Sequence, residues 1–245
     1  MKCILLCAGY SMDENLKLRE TASSLIEIHE QPLINYTIHS LEEIEEIDDI
    51  FVITNGVYYS KFIEWQNKYH FQKNIKVIND NTTSSDAKLG AIGDIRYAIN
   101  SENIDEDIMV LAGDIYFDFS LKHFVKKYHD NGASTIAGIA SLNQSDLSKY
   151  GVIENENGIV VGMQEKPQNP KGNIISLAAY IYPRDVLRDF EYYLSEGNKT
   201  TYPGYFVEYL YNIKPVYVYE IVGNYYDVKS LQSIQLLAQR LDNKV

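Results

Sequence analysis

Short apolar runs alternate with stretches of helical period along this chain of 245 residues. That alternation, read with the turn residues between the runs, predicts an α/β protein. Lys2–Ala8 reads as a buried first strand, followed by a polar loop over Gly9–Ser24. Pro32 opens a helix whose apolar stripe is Leu33, Tyr36, Ile38 and Leu41. Ile50–Thr54 and Ile75–Ile78 read as strands, with a helix over Tyr58–His70 between them that turns Phe62 and Trp65 inward. Ser85–Ile99 is expected as a helix carrying Leu89, Ile92 and Ile95 on one face. Ile108–Ala112 is a strand that ends at Gly113-Asp114.

The second half is richer in strands. A helix over Ser120–Tyr128 precedes a strand over Ser134–Ser141. A hairpin pairs Val152–Glu154 with Ile159–Gln164 through Asn157-Gly158, a dipeptide that accepts the positive φ angles of a tight turn. Ile174–Tyr182 and Val216–Val222 are strands; Arg184–Leu194, Phe206–Tyr211 and Leu231–Leu241 are helices. With no linker between the halves, residues 1–245 are expected to form one domain. The predicted architecture is a Rossmann-like, three-layer α/β/α fold with a mixed, mostly parallel central sheet and an inserted hairpin.

Composition narrows the function classes. The formal net charge of -12 opposes binding to DNA, RNA or anionic membranes, and no apolar run is long enough to span a bilayer. Neither a nucleic-acid nor a membrane partner is expected, and the predicted setting is the cytoplasm. The same charge repels phosphorylated ligands, so local cations or a metal must offset it. Cys3 and Cys7 are too few for a disulfide framework and share one strand face as free thiols. His29, His39, His70, His123 and His129 lack the spacing of a metal-binding pair.

Ligands of open α/β sheets bind beyond the carboxyl ends of the strands, and four candidate motifs fall at such ends. Leu6-Cys7-Ala8-Gly9-Tyr10 leaves the first strand; its glycine either opens backbone N–H groups to an anion or simply ends the strand. Asp114, just past a buried strand, is placed either to hold Mg²⁺ or to cap a turn. Gln164-Glu165-Lys166-Pro167 follows the hairpin. Pro167 is expected to hold Lys166 extended, aiming its charge at a phosphate, although a surface Glu-Lys pair is the plainer alternative. Asp227, in Tyr225-Tyr226-Asp227-Val228, is either a second metal carboxylate or the cap of the helix that begins near Ser230.

Taken in order, these motifs resemble the bacterial sugar-1-phosphate nucleotidyltransferases, the family of the glucose-1-phosphate thymidylyl- and cytidylyltransferases. The resemblance runs over essentially the whole chain. It extends to Gln31-Pro32-Leu33-Ile34-Asn35-Tyr36, to Thr82-Thr83-Ser84 with Leu89-Gly90-Ala91-Ile92-Gly93-Asp94, and to Gly151-Val152-Ile153-Glu154. It implies a nucleotide held by Leu6, Ala8, Gly9 and Tyr10, with Thr82 and Gly90 near the base. It implies Mg²⁺ on Asp114 and Asp227, sugar hydroxyls on Glu165, the sugar phosphate on Lys166, and Ala178 beside the sugar. Asp114 and Lys166 would be the catalytic residues. The implied partners are a nucleoside triphosphate and a sugar phosphate, with pyrophosphate as the leaving group. Self-association or pairing with an active homologue both stay open.

The first loop departs from the family's pattern. Its glycine, arginine and lysine positions carry Ser11, Asp13 and Ser23; the sugar-side glycine position carries Ala178; and Lys229-Ser230 replaces the Gly-Thr expected after Asp227. Two unit charges about 4 Å apart interact by roughly 4 kcal/mol at an effective dielectric near 20. Discounted for a wet loop, the altered charges amount to roughly 3–9 kcal/mol of lost stabilisation, where each 1.4 kcal/mol is about tenfold in rate. Lys17 and Arg19 lie in the same loop and would compensate if it refolds, and Lys88 and Lys166 are further candidate cations. The expected activity is nucleotidyl transfer. The alternative is a catalytically impaired paralogue that binds nucleotide or sugar.

Overall fold

In the computed structural model the described residues are 1–10, 21–141, 143, 147–228 and 230–242. Ser11, Asp13, Lys17, Arg19 and Lys229 therefore lie outside them.

The chain opens with β1 (Lys2–Leu6), then the short pair β2 (Glu27–Ile28) and β3 (Gln31–Pro32), and α1 (Leu33–Glu42). There follow β4 (Asp49–Thr54), α2 (Tyr59–Lys68), β5 (Asn74–Asn79), α3 (Gly90–Ser101), β6 (Ile108–Ala112) and β7 (Ile115–Asp118). The second half holds α4 (Leu121–Asn131), β8 (Ser134–Ala140), β9 (Gly151–Glu156), β10 (Ile159–Glu165) and β11 (Ile174–Tyr182). It closes with α5 (Leu187–Ser195), α6 (Gly204–Leu210), β12 (Val216–Glu220), β13 (Asn224–Asp227) and α7 (Leu231–Asp242).

Among the described residues the large sheet runs β5-β4-β1-β6-β11-β8-β12-β10-β9, and β9 also pairs with β11. The sheet is mixed, as expected, but its parallel part is the first half, β5-β4-β1-β6, with β12 parallel to β8. The other pairings are antiparallel, because the hairpin β9–β10 and the long strand β11 return the chain without crossover helices.

Side chains alternate along β1, so Cys3 and Leu5 face one way and Ile4 the other. Cys3 and Leu5 pack beneath α1, α2 and α4 through Ile38, Phe62, Trp65 and Phe124. Ile4 packs beneath α3, α5 and α6 through Ile92, Ile95, Phe190 and Phe206. Two helical layers around one sheet give the expected three-layer arrangement. No helix of the described residues is long and apolar enough to cross a membrane.

Local chemistry sets the element ends. The Ser120 hydroxyl accepts from the His123 amide at 3.2 Å to start α4, and Gly132, at φ 64°, ends it. The hairpin turns through Asn157 (φ 54°) and Gly158 (φ 82°). The helix expected over Ser85–Ile99 is broken: Lys88 and Leu89 separate a single helical turn at Ser85–Ala87 from α3, whose first residue, Gly90, has φ 77°. The backbone of Thr200 crowds Gly90 so closely that any side chain would collide with it.

Candidate functional site

From β1 the chain steps to β4 on one side and later returns to β6 on the other, so the carboxyl end of β1 is a topological switch point. Leu6 lies level with Ile53 of β4 and Ala112 of β6, and the three strands stop together. Beyond them lies a cleft of about 630 Å³.

Its first wall is Leu6, Ala8, Gly9 and Tyr10. The backbone here is fixed from behind: the Cys7 amide donates to the Ile53 carbonyl at 2.8 Å, and the buried Asn55 amide donates to the Ala8 carbonyl at 3.0 Å. Gly9 has open space where a side chain would sit. Gly90 and Ala91, at the start of α3, also line this side. Thr82 does not face the cleft. It is buried behind the wall, within 2.9 Å of the Tyr10 hydroxyl and donating to the Asp80 carboxylate.

Asp114 and Asp227 both line the cleft, from two separate parts of the sequence. A two-stranded ribbon, β7 with β13, brings them together. Asp227 stands opposite Ile115, and the Val228 amide donates to the Asp114 carbonyl at 2.9 Å. Gly113 lets β6 turn closely over β1: its amide donates to the Leu6 carbonyl at 3.0 Å, and a methyl group there would collide with the Cys7 sulfur. The capping role open to Asp227 is taken by Ser230, whose hydroxyl accepts from the Ser233 amide at 3.2 Å. Arg240 of α7 donates to Asp118 at 2.9 Å and ties the ribbon down. Two carboxylates facing one cleft suit Mg²⁺, which takes one or two carboxylates and completes its coordination with water and phosphate oxygens. No cluster of three or more His, Cys, Asp or Glu side chains placed to hold a metal ion occurs among the described residues.

The opposite end of the cleft is built by the strand-rich half. Glu165 ends β10, and its carboxylate occupies the space left by two glycines, Gly151 and Gly204. Lys166 is exposed, with its ammonium 3.6 Å from the centre of the Tyr202 ring. Its backbone corrects the expectation drawn from Pro167. Lys166 has φ 49°, outside the extended region, and its amide is held by the Tyr150 carbonyl at 3.1 Å. A positive φ on a residue with a side chain costs about 1–2 kcal/mol and is found where surrounding structure over-determines it. Ala178 repeats the pattern at φ 51°, where the register of β11 against β8 shifts between Ser176 and Tyr180. That irregularity turns Ser176, Leu177, Ala178 and Tyr180 toward the cleft, and the Ser176 and Tyr180 hydroxyls lie 3.3 Å apart.

The cleft mixes charges. Lys88, Lys149 and Lys166 line it, as do Asp94, Asp114, Glu165 and Asp227. Burial pushes the Cys7 thiol up to about 12, opposed by a hydrogen bond from Ser24 and helped by the charge of Asp114. Burial, with the charge of Asp80 beside it, pushes the Asp94 carboxyl up to about 8.

Every candidate site residue read from the sequence lines this cleft except Thr82. Sequence reasoning gave no role to Asn55, Asp94, Lys149, Tyr180 or Tyr202. Of these, Asp94 closes the Leu89–Asp94 stretch that carries the resemblance, and Lys149 stands directly before the Tyr150-Gly151 step into the hairpin.

Residues 19–241 match the profile of a family described as nucleotidyl transferase. The chain is 24% identical over 196 residues to the bifunctional protein GlmU of Methanocaldococcus jannaschii, covering 78% of this chain and 42% of that protein. It is 26% identical over 130 residues to a glucose-1-phosphate adenylyltransferase of Lachnospira eligens, covering 52% and 31%. The chain thus spans about half or less of the length of the curated relatives it matches. In fold it is similar to a UDP-glucose pyrophosphorylase solved with UDP-glucose, at a TM-score of 0.80 and 18% identity over 100% of this chain and 99% of the other. It is likewise similar to a UTP-bound enzyme of that kind from Acinetobacter baumannii, at a TM-score of 0.79 and 16% identity over 100% and 94%.

Proposed function

The chain belongs to the nucleotidyl transferase family, and we propose that it joins a nucleoside triphosphate to a sugar 1-phosphate, releasing pyrophosphate. One observation carries the proposal: Gly9, Asp114, Glu165, Lys166 and Asp227, far apart in sequence, line one cleft at the sheet's switch point.

The triphosphate would lie along Leu6–Tyr10 with its base toward Gly90. Lys166 would hold the phosphate of the sugar 1-phosphate, and Glu165 would accept hydrogen bonds from sugar hydroxyls. The attacking oxygen belongs to that phosphate and the electrophile is the α-phosphorus, so no protein nucleophile is needed. Catalysis then consists of alignment and charge neutralisation. Asp114 and Asp227 would hold Mg²⁺, which when bound supplies positive charge against the phosphate oxygens. Lys149 and Lys88, on the same wall-to-wall span, would offset part of the -12 net charge locally.

The test is incubation with each nucleoside triphosphate, Mg²⁺ and a panel of sugar 1-phosphates, reading pyrophosphate release with and without chelator. No release across the panel would overturn the proposal.

A second reading rests on Ser23. This residue lines the cleft where the family resemblance calls for lysine, and Asp13, outside the described residues, stands where it calls for arginine. A binding paralogue with little turnover follows if that charge is essential. Calorimetric binding of a triphosphate without pyrophosphate release would favour it.

A further inference from the structure

We infer that Glu208 of α6 is a positioning residue for the sugar-phosphate end of the cleft: by accepting the Glu165 amide it sets the direction in which Glu165 and Lys166 leave β10. The inference rests on the proposed function for what these two side chains hold, and on the geometry for how they are held.

Glu165 ends β10 at an open edge. The strand pairs with β9 from Ile159 to Glu165, but among the described residues it pairs with β12 at Ile159 only. Successive amides of an antiparallel strand point to opposite sides. The Lys166 amide points toward β9 and donates to the Tyr150 carbonyl at 3.1 Å. The Glu165 amide therefore points away from β9, to the side where no strand follows, and a half-buried donor there needs an acceptor. Glu208 supplies it: its Oε1 lies 2.5 Å from the Glu165 nitrogen. A carboxylate makes a stronger acceptor for a backbone N–H than a neutral carbonyl does.

These two bonds tie the two peptide planes that flank the Glu165 Cα. Each plane is rigid, so fixing both sets φ and ψ of Glu165 and with them the direction of its side chain. The carboxylate then falls into the gap left by Gly151 and Gly204. The next residue, Lys166, takes φ 49°, a conformation that persists only where the surroundings enforce it.

One helix serves both side chains. Gly204 and Glu208 are four residues apart and share a face of α6, so the helix that makes room for the Glu165 carboxylate also holds its amide. Tyr202, two residues before α6, places its ring under the Lys166 ammonium. The helix is itself anchored by Phe206, fully buried and stacked on Phe190 of α5 at 3.8 Å.

Three variants test this in the full chain. Glu208→Gln keeps an acceptor oxygen, Glu208→Ala removes it, and Glu208→Asp withdraws it by one methylene and replaces Ala in every comparison if Ala does not fold. With a triphosphate and a sugar 1-phosphate that support pyrophosphate release, Glu208→Ala should raise KM for the sugar phosphate and lower kcat/KM for it by about ten- to a hundredfold, the size of effect that a small misplacement brings. KM for the triphosphate should stay within about twofold, since the nucleotide wall is built by other elements. Glu208→Gln should keep the sugar-phosphate KM within about threefold of the wild type, because the weaker neutral acceptor still holds the amide. A sugar-phosphate KM that does not move in Glu208→Ala, or that rises in step with the triphosphate KM, overturns the inference. Hydrogen exchange followed by NMR needs no substrate. Exchange at both the Glu165 and Lys166 amides should quicken about tenfold or more in Glu208→Ala and stay slow in Glu208→Gln, while the Cys7 amide, bonded to Ile53, keeps its wild-type rate. Quickening at Glu165 alone means a local bond with no hold on Lys166, and quickening at Cys7 as well means general loosening; either overturns the positioning role. If no sugar 1-phosphate supports turnover, the proposed function fails, while the exchange rates still decide whether Glu208 fixes the end of β10.

Discussion

The ammonium of Lys166 sits 3.6 Å from the centre of the Tyr202 ring, and both residues line the cleft. The ring face attracts the cation and restricts a side chain that is otherwise free on an exposed position. Lys166 should carry far more of the reaction than Tyr202. Replacing Lys166 by Met removes the charge that holds the attacking phosphate of the sugar 1-phosphate and should lower kcat/KM by about a hundredfold or more. Tyr202→Phe keeps the ring and should leave kinetics within about twofold, whereas Tyr202→Ala loses roughly 0.5–1 kcal/mol and should raise KM for the sugar phosphate two- to fivefold. Steady-state kinetics of the three variants, in sugar phosphate at saturating nucleotide, is the check.

Asp114 and Asp227 are held in register by the ribbon between β7 and β13. If both bind one Mg²⁺, Asp114→Asn and Asp227→Asn should each cut turnover by about 10²- to 10³-fold, the size seen when one transition-state charge partner is removed. Raising Mg²⁺ should recover part of the loss, since the weakened site fills by mass action. Melting temperature should stay close to that of the wild type, because Asn is isosteric and the ribbon is held by backbone bonds. Variants as active as the parent at low Mg²⁺ would remove these residues from the metal site.

That ribbon also marks where sequence reading stops. Apolar runs located the large-sheet strands because burial on both faces leaves a continuous Val/Ile/Leu signal, as in Ile108–Ala112 and Ile174–Tyr182. Ile115–Asp118 and Asn224–Asp227 carry no such signal. They form a half-buried two-stranded ribbon with tyrosines and charges mixed in, so the element that joins the two acids was not readable. The acids themselves were, because strand ends are where ligands bind. The raised Asp94 carboxyl was invisible for a different reason: it depends on burial and on the charge of Asp80, which the fold brings from a loop to a helix, and no spacing rule reports that. The conformation at Lys166 ran against a local rule, the effect of Pro167, because its amide is tied to Tyr150 across the start of β9.

Ala178 lines the cleft at φ 51° with a methyl group that an unstrained chain would not place there. Ala178→Gly relieves about 1–2 kcal/mol of steric cost and adds roughly 0.4–1 kcal/mol of unfolded-state freedom. The net should be a small stabilisation, seen as a melting temperature equal to or a few degrees above the parent. The same change widens the cleft beside Ser176 and Tyr180. The panel of accepted sugar 1-phosphates should therefore broaden toward bulkier substituents, and an unchanged panel would show that this methyl does not set acceptor size.

The raised Asp94 pKa has a consequence for stability that needs no ligand. A carboxyl whose folded pKa lies above its unfolded value favours the folded state fully below the unfolded pKa, near 4, and that contribution is lost as pH rises toward about 8. Asp94→Asn does not titrate, so its advantage over the wild type should grow between pH 5 and pH 8. Allowing for relaxation around Asp94 and Asp80, roughly 1–3 kcal/mol is expected at pH 8. Denaturant midpoints of both proteins at pH 5 and pH 8 test this; a constant difference would mean that Asp94 ionises normally.

Ser23 decides between a working enzyme and a binding paralogue more directly than any other described residue. It sits in the helical turn Ser23–Leu25 and lines the cleft between Ser24, which bonds the Cys7 thiol, and the open loop wall at Gly9. It is half-buried, so a longer side chain can extend into the cleft without displacing the buried Ser24 beneath it. A lysine there would add one positive charge where pyrophosphate departs. In a partly wet site that charge is worth roughly 1–3 kcal/mol, or about five- to a hundredfold in kcat/KM. If the parent is an impaired transferase, Ser23→Lys should raise pyrophosphate release by such a factor, and adding Asp13→Arg should raise it further. If turnover of the parent already rests on other cations, the change should be near neutral, and Lys149→Met should instead be the costly one. Pyrophosphate release by the parent, Ser23→Lys, the Asp13→Arg/Ser23→Lys pair and Lys149→Met, at one nucleotide and one sugar phosphate concentration, separates the two cases, because a gain at 23 and a loss at 149 assign the missing charge to different walls of the cleft.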